Sequence, residues 1–253
     1  MTDLNRYTAE LAASYRTAHE RTDVGDESFY LDCATNTDGR VLEAACGTGR
    51  LYLELLDEGV DADGFDVSRP MLELLQERAA TMGVQPTVWQ ADLRTVGTAS
   101  AYDLVIVPYN SFCNLTTVDD QLAALDALHA ALNPGGRLVF DVYVPQYDVI
   151  ADAFGEWHSE REFEHDGRTL YSRTRTTIES QVDQTYRCEH EIRDTDGDEV
   201  AREEFVLAHL PPQQVELLAR HSPFEQWSVD GGFDGDGLDD GDGVQLWRLR
   251  KAA

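Results

Sequence analysis

The stretch VLEAACGTGR at residues 41–50 decides the fold class of this chain. It joins an apolar run containing the acid Glu43 to a glycine turn, GTG at 47–49, that leads into an amphipathic segment. Glycines let the backbone approach a ligand closely, and the first turn of a helix offers unpaired N–H groups. The stretch therefore predicts a strand, a cofactor-binding turn and a helix.

The same alternation continues on both sides of this turn, from residue 40 to residue 143. The apolar runs are RVLEAAC, VDADGFD, PTVWQAD, YDLVIVPY and GRLVFDVY, and the amphipathic stretches between them are LYLELLDE, PMLELLQERAATM and VDDQLAALDALHAALN. Strands that alternate with helices are typical of βαβ units in a parallel sheet. We predict an α/β, Rossmann-like, doubly wound and mostly parallel seven-stranded sheet.

Two further parts are expected around this sheet. Residues 1–39 have helical character and predict an N-terminal helical lid on a domain that covers 40–253. Within that domain, residues 155–209 change to β-branched and aromatic alternation with Asp-Gly turns, which predicts an antiparallel β insertion. A helix at 211–222 and two last strands follow it.

Acidic residues end three successive predicted strands. Glu43 ends the first, Asp66 ends the second, nineteen residues after Gly47, and Asp92 ends the third. Open α/β sheets bind ligands at this edge, where a carboxylate can accept both hydroxyls of a ribose. A dinucleotide turn needs a third glycine where this chain has Tyr52, so a pyrophosphate ligand is disfavoured.

With these features the chain resembles the class I S-adenosylmethionine (SAM) dependent methyltransferases. The similarity runs from about residue 40 to the end, and it rests on five segments in order: VLEAACGTG, GFDVSRPML, WQADLR, YDLVIVPYNSF and ALNPGGRLVFDV. The resemblance implies SAM as cofactor and S-adenosylhomocysteine as product. We expect no metal, because the cysteines lack metal-ligand spacing and the acidic stretches at 194–198 and 234–242 do not complete a calcium-binding loop.

The resemblance assigns the methionine end of the cofactor to the first and fourth segments. Glu43 would reach the amino group, Ala45, Gly47 and Gly49 would shape the turn, and Tyr109 would lie at the mouth of the site. The family usually has glycine at the position of Ala45. A requirement for positive φ there would strain the backbone.

The second and third segments take the adenosine end in the same resemblance. Asp66 would hold the ribose, and Val67 and Met71 would pack on adenine. Asp92 and the backbone of Leu93 would read the adenine edge.

The insertion at 155–209 and the closing segment LPPQQVELLARHSPFEQWSVDGGFDGDGLDD at 210–240 resemble the subgroup that methylates amines and amino sugars. This resemblance implies that the antiparallel insertion lies over the active site. An amine nucleophile needs only to be neutral when it attacks, whereas a hydroxyl needs a base. The candidates for orienting the acceptor are Tyr15, Tyr109, Asn110 and Asn114, with Tyr143 as a further possibility. One histidine of the insertion region could serve as a base near neutral pH; the candidates are His158, His165, His190 and His209.

The composition restricts the partners and the setting. Acidic residues outnumber basic ones 48 to 20, the formal charge is −28, and Lys251 is the single lysine. A surface rich in carboxylates stays hydrated in concentrated salt, so we expect a halophilic protein. The absence of a signal segment, of CxxC spacing and of a long apolar run predicts a cytoplasmic protein with no membrane partner.

Other functions remain open from the sequence. We expect a small-molecule substrate and no nucleic acid, because no basic patch or stacking stripe is present. The alternatives are a methyltransferase that acts on protein or RNA, and a SAM-binding or dinucleotide-binding protein without turnover. A homodimer through the β insertion is possible.

Overall fold

The computed structural model describes residues 25–97, 101–165 and 167–253. Most of the predicted N-terminal lid, including the candidate Tyr15, lies outside these residues. The part of it that is described contains helix α1, Asp26–Thr35.

The central sheet has seven strands, as predicted. They are β1 (Val41–Ala44), β2 (Ala62–Asp66), β3 (Thr87–Gln90), β4 (Tyr102–Val107), β5 (Leu132–Tyr143), β10 (Gln226–Gly231) and β11 (Val244–Arg250). Their order in the sheet is β10-β11-β5-β4-β1-β2-β3. Among these seven strands, β11 alone runs opposite to the other six, because it pairs antiparallel with both β10 and β5. The carboxyl ends of β1 to β5 therefore meet at one edge.

Helices cover both faces of this sheet, which confirms the doubly wound α/β prediction. They are α2 (Tyr52–Asp57), α3 (Arg69–Met82), α4 (Val118–Ala131) and α6 (Pro212–His221), with a short α5 (Tyr147–Ala153) after β5. The side chain of Ser68 accepts a hydrogen bond from Met71 N and caps α3, and Gly83 ends that helix in the left-handed conformation. The predicted boundaries of α3 are therefore explained by its caps.

The second sheet is antiparallel and lies between β5 and α6 in the chain. Its strands are β6 (Trp157–His165), β7 (Arg168–Ser180), β8 (Thr185–Asp194) and β9 (Glu199–Ala208), paired in that order. Gly197, with φ +86°, lies in the predicted turn between β8 and β9. The turn between β7 and β8 has Gln184 at φ +54° instead of a glycine, and no glycine signal predicted it.

The two faces of the antiparallel sheet differ in chemistry. On the outer face the guanidinium carbons of Arg173 and Arg175 lie 4.3 and 4.6 Å from the ring centre of Trp157, and Arg175 Nε donates to Glu189 at 2.6 Å. Because side chains alternate along a strand, the residues between them face the other way. That other face lies over the edge of the central sheet where β1 to β5 end.

None of the helices within the described ranges has both the length and the apolar character needed to cross a bilayer.

Candidate active site

A cavity of about 1060 Å³ lies between the carboxyl ends of the parallel strands and the inner face of the antiparallel sheet. We call its two walls the strand side and the sheet side. The strand side contains Ala45, Gly47, Phe65, Asp66, Val67, Met71, Asp92 and Leu93. The sheet side contains Arg161, Ser172, Thr174, Thr176, Tyr186, His190 and His209.

The structure brings most of the predicted site residues to this cavity. The residues in its wall are Ala45, Gly47, Asp66, Val67, Met71, Asp92, Leu93, Tyr109, Asn110 and Asn114, together with Tyr143. Glu43 and Gly49 belong to the same strand and turn but do not line the cavity. The roles predicted for all of these residues stay predictions.

Asp66 closes the glycine turn from the end of β2. Its Oδ2 accepts a hydrogen bond from Gly47 N at 2.9 Å, and its Oδ1 accepts one from Ser68 N at 2.7 Å. Burial raises the pKa of this carboxyl, although both backbone hydrogen bonds oppose that effect. Each carboxylate oxygen keeps a further lone pair. Asp66 can therefore hold the turn and still accept a hydroxyl of a ligand.

Glu43 is a buried carboxyl without a complete set of partners. The side chain is 3% exposed, and Oε2 has no hydrogen-bond partner among the described residues. Burial raises its pKa to about 8, and the nearby charge of Arg50 opposes that rise. A buried carboxylate is costly unless it is paired, so the site suits a positively charged ligand group.

The glycine turn has positive φ at three positions. Ala45 has φ +59°, Gly47 +53° and Gly49 +79°. A Cβ at Gly49 would lie 2.8 Å from Leu75 Cγ and 2.9 Å from Leu53 Cγ, so helix packing also excludes a side chain there. The left-handed conformation costs an L-residue about 1–2 kcal/mol. Ala45 therefore carries the strain that the sequence predicted for a non-glycine residue.

Arg94 fixes the side chain of Asp92. Arg94 Nε donates to Oδ1 at 2.9 Å, Nη2 donates to Oδ2 at 2.7 Å, and the Arg94 backbone N–H also donates to Oδ1. These hydrogen bonds lower the pKa of Asp92. The carboxylate is therefore ionised and held in one orientation at the end of β3.

The turn after β4 has an unusual backbone. Tyr109 and Asn110 have φ +59° and +57°, so two successive non-glycine residues are left-handed. Asp141 on β5 stabilises them, because its Oδ1 accepts from Tyr109 N at 2.8 Å and its Oδ2 accepts from Asn110 N at 2.9 Å. Strained backbone of this kind is found at functional sites and needs support from its surroundings. The sequence prediction missed Asp141.

Helix α1 contacts Asp141, which supports the turn after β4, and Arg50, which follows the glycine turn. Tyr30 Oη donates to Asp141 Oδ1 at 2.6 Å, and Arg50 forms a bidentate ion pair with the buried Asp26. The guanidinium of Arg50 also lies 5.2 Å from the ring centre of Tyr109. Three parts of the chain, α1, the glycine turn and the turn after β4, thus form one connected cluster.

The remaining candidates differ in what their side chains do. Asn114 Nδ2 donates to Ser111 O at 3.0 Å, so this amide is used within its own turn. Asn110 Oδ1 is buried and has no hydrogen-bond partner among the described residues. Tyr143 is about half exposed, at the rim of the cavity. Of these three candidates, Asn110 is therefore the one whose side-chain oxygen is available to accept a hydrogen bond from a ligand.

Comparison with known proteins shows which proteins this chain resembles. A family model described as a methyltransferase domain matches residues 41–136, from β1 into the start of β5. Residues 41–136 are therefore similar to a methyltransferase domain. A glycine/sarcosine N-methyltransferase of Halorhodospira halochloris is 35% identical over 115 residues, which are 45% of this chain and 42% of the relative. The chain spans about half the length of the curated relatives it matches.

Solved methyltransferase structures resemble the whole chain in fold. The CcbJ methyltransferase of Streptomyces caelestis gives a TM-score of 0.75 at 20% identity and covers 100% of this chain and 99% of its own. SAM-bound CalS10, an amino pentose methyltransferase from Micromonospora echinaspora, gives 0.70 at 22% identity and covers 98% and 99%. The chain therefore shares the fold of these solved methyltransferases over almost its whole length.

The residues of the matched segment fit SAM, the cofactor that the resemblance implies. SAM carries an ammonium group, a ribose diol and an adenine. The unpaired Oε2 of Glu43 suits the ammonium group, and the remaining lone pairs of Asp66 suit the diol. The apolar side chains of Val67, Met71 and Leu93 offer a surface for the base.

Proposed function

We propose that this chain transfers a methyl group from SAM to a small-molecule acceptor, with an amine nitrogen as the nucleophile. The cavity carries the proposal: one wall belongs to the methyltransferase domain and the other to the antiparallel sheet. A volume of about 1060 Å³ is at the upper end of the range for small-molecule sites, which accommodates a cofactor and an acceptor together.

Methyl transfer from SAM depends more on orienting the acceptor than on activating it. Bound SAM supplies an electrophilic methyl group. The chain must bind the acceptor in line with that group and exclude water, and such positioning alone accounts for several kcal/mol. The strained turn at Tyr109 and Asn110, held by Asp141, lies in the cavity wall and is suited to this task.

Two polar groups at this turn support an amine acceptor. Asn110 Oδ1 is a buried carbonyl oxygen that can accept a hydrogen bond from an amine N–H. Burial raises the pKa of the Tyr109 phenol, which keeps it protonated and able to donate or accept. CalS10, which shares the fold, is an amino pentose methyltransferase.

We also propose that the protein works in concentrated salt and forms a homodimer. The acidic surface supports a protein that works in concentrated salt, and a homodimer through the antiparallel sheet is part of the proposal. Assays are therefore best made in molar salt, with the oligomeric state measured by light scattering.

The first test is the affinity for SAM of an Asp66→Asn variant. The backbone N–H groups of Gly47 and Ser68 each donate to a different oxygen of Asp66, and the amide replaces one of these oxygens with an NH2 donor. The variant also loses the negative charge that favours a ribose diol. Hydrogen bonds to charged groups contribute about 1.5–3 kcal/mol, so we expect SAM affinity to fall roughly 10- to 150-fold. Isothermal titration calorimetry in molar salt measures it.

Asp61→Asn is the matched control, because the Asp61 side chain is exposed at the other end of β2. It should bind SAM as the wild type does, and NAD should bind neither protein. Wild-type protein that binds no SAM would refute the proposed function. SAM binding without formation of S-adenosylhomocysteine over a broad amine panel would favour a binding protein instead.

A second prediction is that the binding of SAM releases a proton from Glu43. Because the pKa of Glu43 is about 8, the carboxyl is mostly protonated at pH 7 in the ligand-free protein. Pairing with the ammonium group of SAM favours the charged form, so binding at pH 7 should release a proton. SAM affinity should then rise with pH up to about 8. Calorimetry in buffers of different ionisation enthalpy measures the released proton directly.

Glu43→Gln is the control for this effect, since the amide keeps the shape and cannot titrate. The variant should bind SAM more weakly and without proton release. Proton release equal to that of the wild type would assign the effect to another group.

A further inference from the structure

The sheet side of the cavity contains a histidine whose ring nitrogen lacks a partner. His209 follows β9 directly and lies in the cavity wall. Its Nε2 is buried, and no hydrogen-bond partner for it exists among the described residues. A buried polar atom in this state is costly in a folded protein and calls for an explanation. A bound ligand that hydrogen-bonds to Nε2 provides one.

The backbone around His209 is firmly held. His209 N donates to Gln184 O at 2.7 Å, and the carbonyl oxygen of Leu210 accepts from Gln245 Nε2 at 2.6 Å. The imidazole ring packs edge-on against Tyr186, with the ring centres 4.6 Å apart. The ring therefore has a defined position between the two sheets.

The electrostatic setting keeps this imidazole neutral. Burial lowers the pKa of His209, and Tyr186 is the titratable side chain that packs against the ring. Phe154, 6.2 Å away between ring centres, adds an apolar neighbour. A neutral imidazole has one nitrogen that accepts a proton.

The other histidines of the insertion region are placed differently. His158 is exposed, and its Nε2 lies 2.8 Å from Ala153 O. His165 is at the far end of β6 and does not line the cavity. His190 lines the cavity and makes an interaction of its own. Only His209 combines the cavity wall with a buried, unpaired ring nitrogen among the four.

We propose that His209 Nε2 accepts the proton that the acceptor amine loses during methyl transfer. This inference rests on the proposed function. The acceptor enters as an ammonium ion, one of its N–H bonds breaks, and the proton goes to Nε2. The nitrogen is then neutral, and the lone pair left on it forms the new bond to the methyl carbon, while the bond between that carbon and sulfur breaks and sulfur keeps its electron pair.

The test compares His209→Gln with His190→Gln in molar salt. The probes are SAM and a panel of primary amines that includes glycine, ethanolamine and glucosamine, with S-adenosylhomocysteine as the product measured. We expect His209→Gln to bind SAM with unchanged affinity and to lower kcat by about 10²- to 10⁴-fold, the usual contribution of a general base. The acid limb of the pH–rate profile should disappear in this variant and persist in His190→Gln.

A titration of the imidazoles by NMR provides a readout without turnover, with His209→Gln identifying the signal. His209 should be neutral at pH 7.5 and titrate below 6.5. A protonated His209 at pH 7.5, an unchanged pH–rate profile in His209→Gln, or a profile flattened only by His190→Gln would each overturn the inference. Wild-type protein that does not bind SAM would remove the proposed function itself.

Discussion

Replacing Arg50 with leucine lowers the free energy of unfolding by about 3–5 kcal/mol, the usual effect of removing one partner from a buried ion pair. Asp26 is 1% exposed, and Arg50 holds both of its carboxylate oxygens. Without the guanidinium, a buried carboxylate in α1 has lost its countercharge. The ring of Tyr109 loses its cationic neighbour as well. Urea unfolding in molar salt measures the change, because salt screens a buried pair only weakly.

Two variants separate this effect from the mere loss of a charge. Arg69→Leu breaks an exposed pair with Glu73 on α3 and should change stability by less than about 1 kcal/mol. Adding Asp26→Asn to Arg50→Leu removes the unpaired charge and should restore much of the lost stability. If Arg50→Leu and Arg69→Leu lowered the free energy of unfolding by the same amount, the buried pair of Arg50 and Asp26 would not stabilise the position of α1.

Replacing Asp141 with alanine has the second large effect. Three donors, the N–H groups of Tyr109 and Asn110 and the hydroxyl of Tyr30, lose the same acceptor. A buried donor without an acceptor costs about 1–3 kcal/mol, so stability should fall by roughly 3 kcal/mol or more. The two left-handed residues also lose their support. We expect methyl transfer to fall more than SAM affinity, because the proposed function places the acceptor beside this turn in the cavity wall. Unfolding experiments and steady-state kinetics measure the two effects.

Tyr30→Phe is the matched control for Asp141→Ala, since it removes one donor of the three and should cost about 1 kcal/mol. The pH dependence is a further check. Burial raises the pKa of Asp141 to about 6 in the folded protein. With the folded value above the unfolded one, its contribution to stability is present in full at low pH and is lost as the pH rises through about 6. The destabilisation by Asp141→Ala should therefore be larger at pH 5 than at pH 8.

The sequence predicted the central sheet well because its signals are local. Each strand is a short apolar run, and α3 has a capping residue at each end, Ser68 and Gly83. The acids at the strand ends were also predictable, since parallel strands bring their carboxyl ends to one edge. Asp66 and Asp92 accordingly lie in the cavity wall.

What escaped prediction depends on contacts between distant parts of the chain. Tyr30 and Asp141 are 111 residues apart and meet only in the folded protein. The left-handed backbone of Tyr109 and Asn110 has no glycine to mark it. One signal was present: Asp141 is the lone acid inside the apolar run VFDVY at 139–143. A charge in a buried strand usually has partners, and that rule could have identified it.

The cavity takes its two walls from different stretches of the chain. The strand side comes from residues 45–93, inside the matched domain, whereas the sheet side comes from residues 161–209, outside it. Under the proposed function, substitutions in the antiparallel sheet would alter which acceptor fits while the residues assigned to the methyl donor stay the same. Variants of this fold could then diverge in acceptor preference through changes confined to one portion of the gene.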